Sequence, residues 1–272
     1  MATTWTNSSL MTNQHCGEQY RRIYEERDWC PSSANQTRGT VVHKIAAKTM
    51  TRKWKEGTLP TVEEVRDLTS DAFTAAWDEG IKLQPAEQAE GENVVRARVK
   101  DTSINLAVLH REVFAPGITP IGVEHRIVVK PADMNIEVVG TMDLVAARDG
   151  GAAIHDLKTS EKAPSRKSAE ISAQFTMYGL LWLAKTGKMP IDYEQDWVWQ
   201  TPARKELKHD ALHSMRDQAD LTALVARLNA SVDAVGKGVY VPASPDWWGC
   251  SPEYCQFWDS CVYTRRGARP QS

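Results

Sequence analysis

Three residues with reactive side chains lie on two neighbouring segments that are rich in β-branched residues. Asp143 is on the first segment, and Asp156 and Lys158 are on the second. The Asp149-Gly150 pair between the segments is typical of a tight hairpin turn. If this pair is the centre of the turn, Asp143 lies opposite Asp156, and Lys158 shares their face of the sheet. The spacing therefore predicts two carboxylates and an ammonium group in one place.

Two carboxylates that face each other on a hairpin repel, and a divalent cation between them removes the conflict. Hard carboxylate oxygens suit Mg²⁺ or Mn²⁺, which keep several water molecules for a substrate. Such an ion lowers the pKa of water and offsets the charge of a phosphate, and a nearby lysine can orient the water. The other reading is an ordinary hairpin with a polar, solvent-facing side. A longer loop would also shift the strand register.

The surrounding segments indicate how this hairpin is positioned. Hydrophobic periodicity predicts helices over residues 8–28, 39–56, from 61 onward, 92–113, 167–186 and 210–235. Strands are predicted over residues 121–129, 136–147, 152–157 and 193–200. This order of elements predicts an α+β (mixed α/β) fold, in which helices flank a central, mostly antiparallel to mixed β-sheet.

The composition sets wider limits. A chain of 272 residues with a net charge of −2 suits one large domain, and this charge neither favours nor excludes a nucleic-acid partner. The absence of a long apolar stretch predicts no membrane contact. The first residues lack the basic and apolar regions of a secretory signal, so we expect a cytoplasmic protein. An odd count of five cysteines fits a disulfide framework poorly.

Two short motifs on the hairpin resemble a known family. The pattern Gly140-x-x-Asp143, followed by Asp156-x-Lys158-Thr159, is similar to the signature of RecB-like nucleases in the PD-(D/E)XK superfamily. The resemblance implies a restriction-endonuclease-like core with a helical N-terminal region. It also implies a DNA nuclease in which Asp143, Asp156 and Lys158 are catalytic and both acids bind Mg²⁺ or Mn²⁺.

Further motifs follow in the family's order. His43 ends a G-x-x-x-H pattern, and Gln174 and Tyr178 form a Q-x-x-x-Y pattern. The resemblance implies that His43 and the backbone carbonyl of Leu157 join the metal site, and that Gln174 and Tyr178 hold the DNA backbone. It gives Glu124 a secondary role. Taken singly, each residue also has a structural reading, such as a helix-surface histidine or an ordinary ion pair.

The cysteines follow a layout of one upstream and three downstream residues. Cys16 precedes the group Cys250, Cys255 and Cys261, which resembles the branch of these nucleases that holds a 4Fe–4S cluster, as in AddB and the nucleases of CRISPR adaptation. The spacing between Cys250 and Cys255 is wider than in that branch. Structural zinc and simple buried thiols remain alternatives, and Cys30 is an alternative to Cys16.

These observations predict a single nuclease domain over 1–272. It has a helical part over about 8–113, a catalytic core over about 120–240 and a Cys-rich segment over 242–263. The expected activity is that of an exonuclease in phage or bacterial DNA recombination, repair or replication. The sequence lacks a helicase P-loop, so we expect a helicase or recombination partner. The alternative is a non-catalytic DNA-binding or scaffold subunit that keeps the nuclease fold.

Overall fold

A computed structural model describes residues 3–264, so the outermost residues of the predicted domain lie outside the described part. Within that part, no helix combines the length and the apolar character needed to cross a membrane. In chain order, the elements are β1 (Thr3–Trp5), α1 (Asn7–His15), α2 (Gly17–Tyr20), a π-helical turn (Arg21–Glu25), β2 (Ser32–Ser33), α3 (Ala34–Glu56), α4 (Val62–Asp78), β3 (Ile81–Lys82), α5 (Pro85–Glu90), α6 (Glu92–Val113), a 3₁₀ turn (Ala115–Gly117), β4 (Pro120–Val129), β5 (Ile136–Arg148), β6 (Gly151–Ser160), α7 (Ala173–Thr186), β7 (Asp192–Gln200), β8 (Leu207–Ser214) and α8 (Gln218–Gly236).

A six-stranded mixed sheet forms the centre of the fold. β4 pairs antiparallel with one edge of β5, whereas β1 (parallel) and β6 (antiparallel) pair with successive parts of the other edge. β7 then runs parallel to β6, and β8 runs antiparallel to β7. Helices pack on both faces. The structure thus confirms the predicted mixed α+β fold with a central sheet flanked by helices.

The β5–β6 hairpin has the predicted register. Pairing runs from Arg148 with Gly151, beside the turn, to Leu144 with His155. One step further would place Asp143 opposite Asp156, as the sequence predicts. Gly150 has a φ of +93°, a conformation that glycine adopts at little cost and that a tight turn requires.

β1 and β6 leave a gap on the edge of β5 that they share. β1 pairs with residues 136–138 and β6 with residues 144–148. Among the described residues, positions 139–143 of β5 therefore have no strand partner on this edge. Asp143 lies at the end of the gap that is nearer β6. An opening inside a sheet leaves backbone and side-chain polar groups without ladder partners, so it is a place where such groups can be used for chemistry.

Each face of the sheet has its own apolar core. On one face, α1, α7 and α8 pack around a cluster that includes Trp5, Phe175 and Leu224. On the other, α3 and α6 contribute Val42 and Leu106 to a second cluster. α3 also packs with α4 and α6 in a third cluster. α3 therefore packs on two sides. Burial of each large apolar side chain contributes roughly 1.5–3 kcal/mol, so this packing holds the helix in place.

Part of the predicted helix over residues 210–235 is wrong. Residues 207–214 form β8, which pairs with β7 along its whole length, and α8 begins only at Gln218. The side chain of Asp217 caps α8 by accepting hydrogen bonds from the backbone N–H groups of Ala219 and Asp220. Pairing with β7 outweighs the helical pattern of residues 210–214, so tertiary contacts decide the structure of this segment.

Two other predicted helices are shorter than expected. The helix predicted over 8–28 is interrupted at Cys16, whose backbone is extended and ends α1. The helix predicted over 167–186 starts at Ala173, because the side chain of Ser172 caps it there. The segment 242–263 contains turns and no helix or strand, as the sequence predicts.

The segment after α8 returns to the start of the chain. The backbone N–H of Gly17 donates to the carbonyl of Val241 over 2.7 Å, and the N–H of Ala243 donates to Sγ of Cys16 over 3.4 Å. A Cβ atom on Gly17 would lie 2.6 Å from the Val241 backbone nitrogen. Glycine is therefore required by the close approach of two backbone segments.

We expect Gly17→Ala to lower the free energy of unfolding by about 1–3 kcal/mol, because the added methyl group would force the two segments apart. Urea denaturation measures this change. Gly236→Ala is the matched control: it lies at the end of α8 with no heavy atom within 4 Å of its added Cβ, and alanine favours helix. Equal stability of the two variants would show that the chain ends are not held by this contact.

Candidate active site

Asp156 has a buried carboxylate beside the gap in the sheet. The residue is only 1% exposed, and among residues 3–264 neither carboxylate oxygen has a hydrogen-bond partner of good geometry. Nζ of Lys158 lies 2.5 Å from Oδ2 of Asp156, which gives charge compensation without the angles of a hydrogen bond. A buried carboxylate that lacks donors is costly unless a cation compensates it.

Asp143 contacts two different donors. Its Oδ2 accepts a hydrogen bond of 3.0 Å from the backbone N–H of Leu157 and lies 3.1 Å from Nδ1 of His43. The Leu157 N–H thus turns toward a side chain across the gap, where a regular ladder would offer a carbonyl. His43 reaches this point because α3 packs across the sheet next to β5 and β6.

The charges of this group shift one another's pKa values. Burial raises the pKa of Asp156 to about 6; the nearby Asp143 acts in the same direction, and Lys158 opposes it. For His43, burial lowers the pKa, but the hydrogen bond and charge of Asp143 outweigh it and the net pKa is raised. Asp143, Asp156, Lys158 and His43 are therefore one electrostatic unit.

A chain of hydrogen bonds links Lys158 to α7. Nζ of Lys158 donates to Oε1 of Gln174 over 2.9 Å, and Nε2 of Gln174 donates to the Tyr178 hydroxyl over 2.7 Å. That hydroxyl donates in turn to the carbonyl of Thr141, also over 2.7 Å. Gln174 and Tyr178 share a helix face, and together they fix the position of the Lys158 ammonium group.

Gly140, the glycine of the G-x-x-D pattern, is required on steric grounds. A Cβ atom on Gly140 would lie 2.5 Å from Cδ1 of Leu181 and 3.3 Å from the ring of Tyr178. Only a residue without a side chain lets α7 approach the strand so closely. The close approach brings the Tyr178 hydroxyl to the carbonyl of Thr141.

Glu124 lies on β4 with an unusual backbone. Its φ is +48°, in the left-handed region, which is costly for a residue other than glycine. The neighbouring pairs, Val123 with Leu144 and His125 with Met142, place Glu124 beside Asp143. Burial raises the pKa of Glu124, and the charge of Asp143 adds to this. The strained conformation directs its side chain toward the group around Asp143.

A cavity of about 20 Å³ behind the group contains residues that the sequence did not single out. His43, Glu124 and Asp143 line it together with His110, His155 and Asp196. His110 and His155 are buried, and each has one ring nitrogen without a hydrogen-bond partner. The alternation of β6 could have indicated His155, which precedes Asp156 and faces the other side of the sheet. His110 gives no signal beyond a histidine on a helix.

The cysteines divide between two cavities. Cys16, Cys250, Cys255 and Cys261 line one cavity of about 250 Å³, whereas Cys30 lines another, next to Cys255. No cysteine forms a disulfide. Within residues 3–264, no three cysteine sulfurs lie within 4.8 Å of one another. Cys16 is thus the upstream cysteine that shares a cavity with the downstream three.

A comparison with protein families agrees with this geometry. The model of the PD-(D/E)XK nuclease superfamily matches residues 4–262. The chain belongs to the PD-(D/E)XK nuclease superfamily. No curated protein matches it significantly.

Two solved structures are similar to this chain. A protein from Eubacterium rectale, provisionally described as an exonuclease, is similar with 13% identity and a TM-score of 0.54, over 99% of this chain and 90% of that one. The structure of SSO0001 gives 13% identity and a TM-score of 0.43, over 96% and 87% of the two chains. At this identity, the first likeness shows the fold alone.

PD-(D/E)XK nucleases generally use Mg²⁺ or Mn²⁺. In the described residues, the donor atoms of His43, Asp143 and Asp156 do not form a group within 4.8 Å. Each carboxylate contacts its own neighbour instead: Asp143 contacts His43, and Asp156 contacts Lys158. The residues nevertheless fit a hard cation, because the buried oxygens of Asp156 accept no hydrogen bond of good geometry from the part of the chain that the structure describes.

We expect Asp156 to contribute a loss of stability to the metal-free protein as pH rises from 3.8 to about 6, the ordinary and the raised pKa of this group. The folded state holds this proton more tightly than the unfolded state, so stability is lost as the carboxylate ionises. Asp156→Asn lacks this loss, and its stability relative to wild type should increase by roughly 2–3 kcal/mol over that range.

Urea denaturation at several pH values measures this difference. Asp101→Asn, which replaces an exposed carboxylate on α6, is the control and should follow wild type. Mn²⁺ added above pH 6 should stabilise the wild type more than it stabilises Asp156→Asn. Parallel curves for wild type and Asp156→Asn would contradict the expectation.

Proposed function

We propose that this protein is a metal-dependent DNA nuclease that hydrolyses phosphodiester bonds, with Asp143, Asp156 and Lys158 as its catalytic residues. The main support is the carboxylate of Asp156, which is buried beside the ammonium group of Lys158 and close to the contact between Asp143 and His43. Membership of the PD-(D/E)XK superfamily agrees with this proposal. A scaffold subunit would have no need to keep such a costly group.

The metal site in this proposal consists of His43, Asp143, Asp156 and the backbone carbonyl of Leu157. A bound Mg²⁺ or Mn²⁺ ion supplies Lewis acidity, which lowers the pKa of water and offsets the charge of the scissile phosphate. The Asp143 carboxylate has two contacts, with the Leu157 N–H and His43, that hold it beside the proposed site.

Lys158 orients the attacking water and offsets phosphate charge in this proposal. Its ammonium group lies between the Asp156 carboxylate and Oε1 of Gln174, so its position is set from two sides. Gln174 and Tyr178 hold the DNA backbone next to this group. Tyr178 is anchored by the carbonyl of Thr141, and Gln174 can exchange its bond with Tyr178 for one with a phosphate oxygen. Glu124 acts in a secondary role, through the charge it brings beside Asp143.

Exonuclease activity on DNA ends is the finer form of the proposal. The similar protein from Eubacterium rectale is provisionally described as an exonuclease, and this supports the assignment. The proposed settings are DNA recombination, repair or replication in a bacterium or phage. A helicase or recombination protein would supply the unwinding. Five cysteines without a disulfide suit the reducing cytoplasm.

We further propose that Cys16, Cys250, Cys255 and Cys261 hold a 4Fe–4S cluster, as in the RecB-like branch. They line one cavity of about 250 Å³, which supports a shared ligand. Two sulfurs bound to one zinc ion at about 2.3 Å cannot be more than about 4.6 Å apart. No three cysteine sulfurs of the described residues lie within 4.8 Å of one another, so their spacing does not match the ligand set of a single zinc ion.

We expect Asp156→Ala and Lys158→Ala to reduce DNA cleavage by about a thousandfold or more, since each removes a group that acts on the water or the phosphate. The assay incubates the full chain with linear and circular DNA, single- and double-stranded, in Mg²⁺ or Mn²⁺. Cleavage of linear DNA alone would identify an exonuclease.

Lys185→Ala and Asp101→Asn are the controls for this assay, because both residues are exposed and lie away from the site. Both should retain wild-type cleavage. Circular dichroism confirms that all variants fold. If wild type binds DNA but cuts none of the four substrates with either metal, the protein is a non-catalytic DNA-binding or scaffold subunit.

We expect protein purified without oxygen to be brown, with an absorption band at about 400 nm and about four iron atoms per chain. Cys16→Ser and Cys261→Ser should lose the colour and the iron, and Cys30→Ser should keep both. If the purified chain is colourless and contains zinc, the four cysteines form a structural zinc site and hold no iron–sulfur cluster. Loss of iron in Cys30→Ser but not in Cys16→Ser would show that Cys30, and not Cys16, is the upstream ligand.

A further inference from the structure

A second group of ionisable side chains extends from the cavity behind the proposed active site toward the β5–β6 turn. Three acidic residues alternate along β7, at Asp192, Glu194 and Asp196, so they point to the same face of the sheet. The neighbouring strands β6 and β8 contribute His155 and His213 to this face. We call these five residues the β7 acidic group.

Glu194 is the centre of the group. Its Oε2 lies 3.7 Å from Nδ1 of His155 and 3.7 Å from Nδ1 of His213. On the inner side, Nδ1 of His155 lies 3.2 Å from Oδ2 of Asp196. On the outer side, Nδ1 of His213 lies 2.9 Å from Oδ2 of Asp192. Glu194 therefore belongs to two overlapping sets of donors, each with one imidazole and two carboxylates whose donor atoms lie within 4.8 Å of one another.

The inner set is almost completely buried. His155, Glu194 and Asp196 are 2%, 6% and 1% exposed. Two adjacent buried carboxylates repel each other and are costly to remove from water. A cation that contacts both would offset this cost.

The fixed positive charge nearby is too small for the group. Arg148 at the end of β5 contacts Asp192 and Glu194. One guanidinium cannot balance three carboxylates. Two negative charges are left, which equals the charge of a single divalent cation. Two protonated histidines would also balance them, and the experiment below distinguishes these cases.

The group can be reached from solvent. An open groove on the outer side is lined by residues that include Arg148, Asp192, His213 and Met215. The side chains of Arg148 and His213 are 36% and 53% exposed. Movement of the flexible Arg148 side chain would uncover Glu194 and give an ion a route to the inner set.

We propose that His155, Glu194 and Asp196 bind one divalent transition-metal ion, at a site separate from the proposed catalytic metal. Ligands of one ion at about 2.1 Å lie at most about 4.2 Å apart, and the His155 contacts with Asp196 and Glu194, of 3.2 and 3.7 Å, are within that limit. An imidazole with two carboxylates suits Mn²⁺, Co²⁺ or Zn²⁺ better than Mg²⁺ or Ca²⁺. Arg148 competes with the ion for Glu194.

The ion would hold two strands together. His155 is on β6, next to Asp156, whereas Glu194 and Asp196 are on β7. An ion between them links the strand that bears Asp156 to its parallel neighbour from the face opposite α7. The proposal does not depend on nuclease activity, because every residue in it lies outside the proposed catalytic set.

Mn²⁺ is the probe, because thiolates bind softer metals and the cysteine cavity should take little of it. The full chain carrying Asp143→Asn and Asp156→Asn removes the proposed catalytic site. Electron paramagnetic resonance of free Mn²⁺ then counts the ions bound near neutral pH, without DNA. We expect about one ion per chain in this background.

Two additional substitutions test the ligands in the same background. Glu194→Gln should remove Mn²⁺ binding. Arg148→Met removes the competing charge and should tighten binding by about tenfold or more. Asp210→Asn replaces a carboxylate on β8 outside the group and should leave binding unchanged. Circular dichroism monitors folding, and Arg148→Met decides the matter if Glu194→Gln does not fold.

The proposal is overturned if the background variant binds no Mn²⁺, if Glu194→Gln still binds it, or if Arg148→Met binds it no more tightly. In these cases Arg148 and the protonated side chains of His155 and His213 balance the negative charge of the β7 acidic group. Loss of DNA cleavage has no bearing on this outcome, because binding is measured in a chain whose proposed catalytic carboxylates are already replaced. Failure of this proposal and failure of the nuclease assignment are therefore distinguishable.

Discussion

The burial of the Asp156 carboxylate is the constraint on which the rest of the site depends. The burial of an ionised carboxyl group opposes folding, and the raised pKa of Asp156 expresses this cost. The apolar packing on both faces of the sheet has to offset it. α7 fixes Lys158 beside the carboxylate through Gln174 and Tyr178, and α3 brings His43 to Asp143. Each neighbouring element thus either compensates this charge or positions a group that does.

The gap in the sheet explains why these side chains can meet. Between the part of β5 that pairs with β1 and the part that pairs with β6, the described residues provide no strand partner on this edge. There Asp143 accepts a hydrogen bond from the Leu157 N–H, which a regular ladder would direct to a backbone carbonyl. The strained backbone of Glu124 lies on the opposite side of the same stretch of β5. Irregular backbone therefore occurs where the charges collect, whereas the rest of the hairpin is regular. This is the usual division between a rigid scaffold and a functional site.

The sequence predicted what depends on local pattern. The Asp-Gly turn set the register of the hairpin, and alternation and helical spacing gave the class of fold. It did not predict β8, because this strand forms to pair with β7, or β1, which is a short segment paired with residues far along the chain. His110, His155 and Asp196 were also missed. Their proximity comes from the packing of α6 and the order of the strands, neither of which leaves a local motif.

The pairing of β1 with β5 has a consequence for how the chain folds during synthesis. Thr3 of β1 pairs with Ile136 of β5, so β1 cannot take its place in the sheet until the chain has been made at least as far as β5. Closing so long a loop costs about 4 kcal/mol of chain entropy, which only later contacts repay. The edge of β5 that borders Asp143 is therefore complete only once this long loop has closed, whereas the local β5–β6 hairpin can form before it.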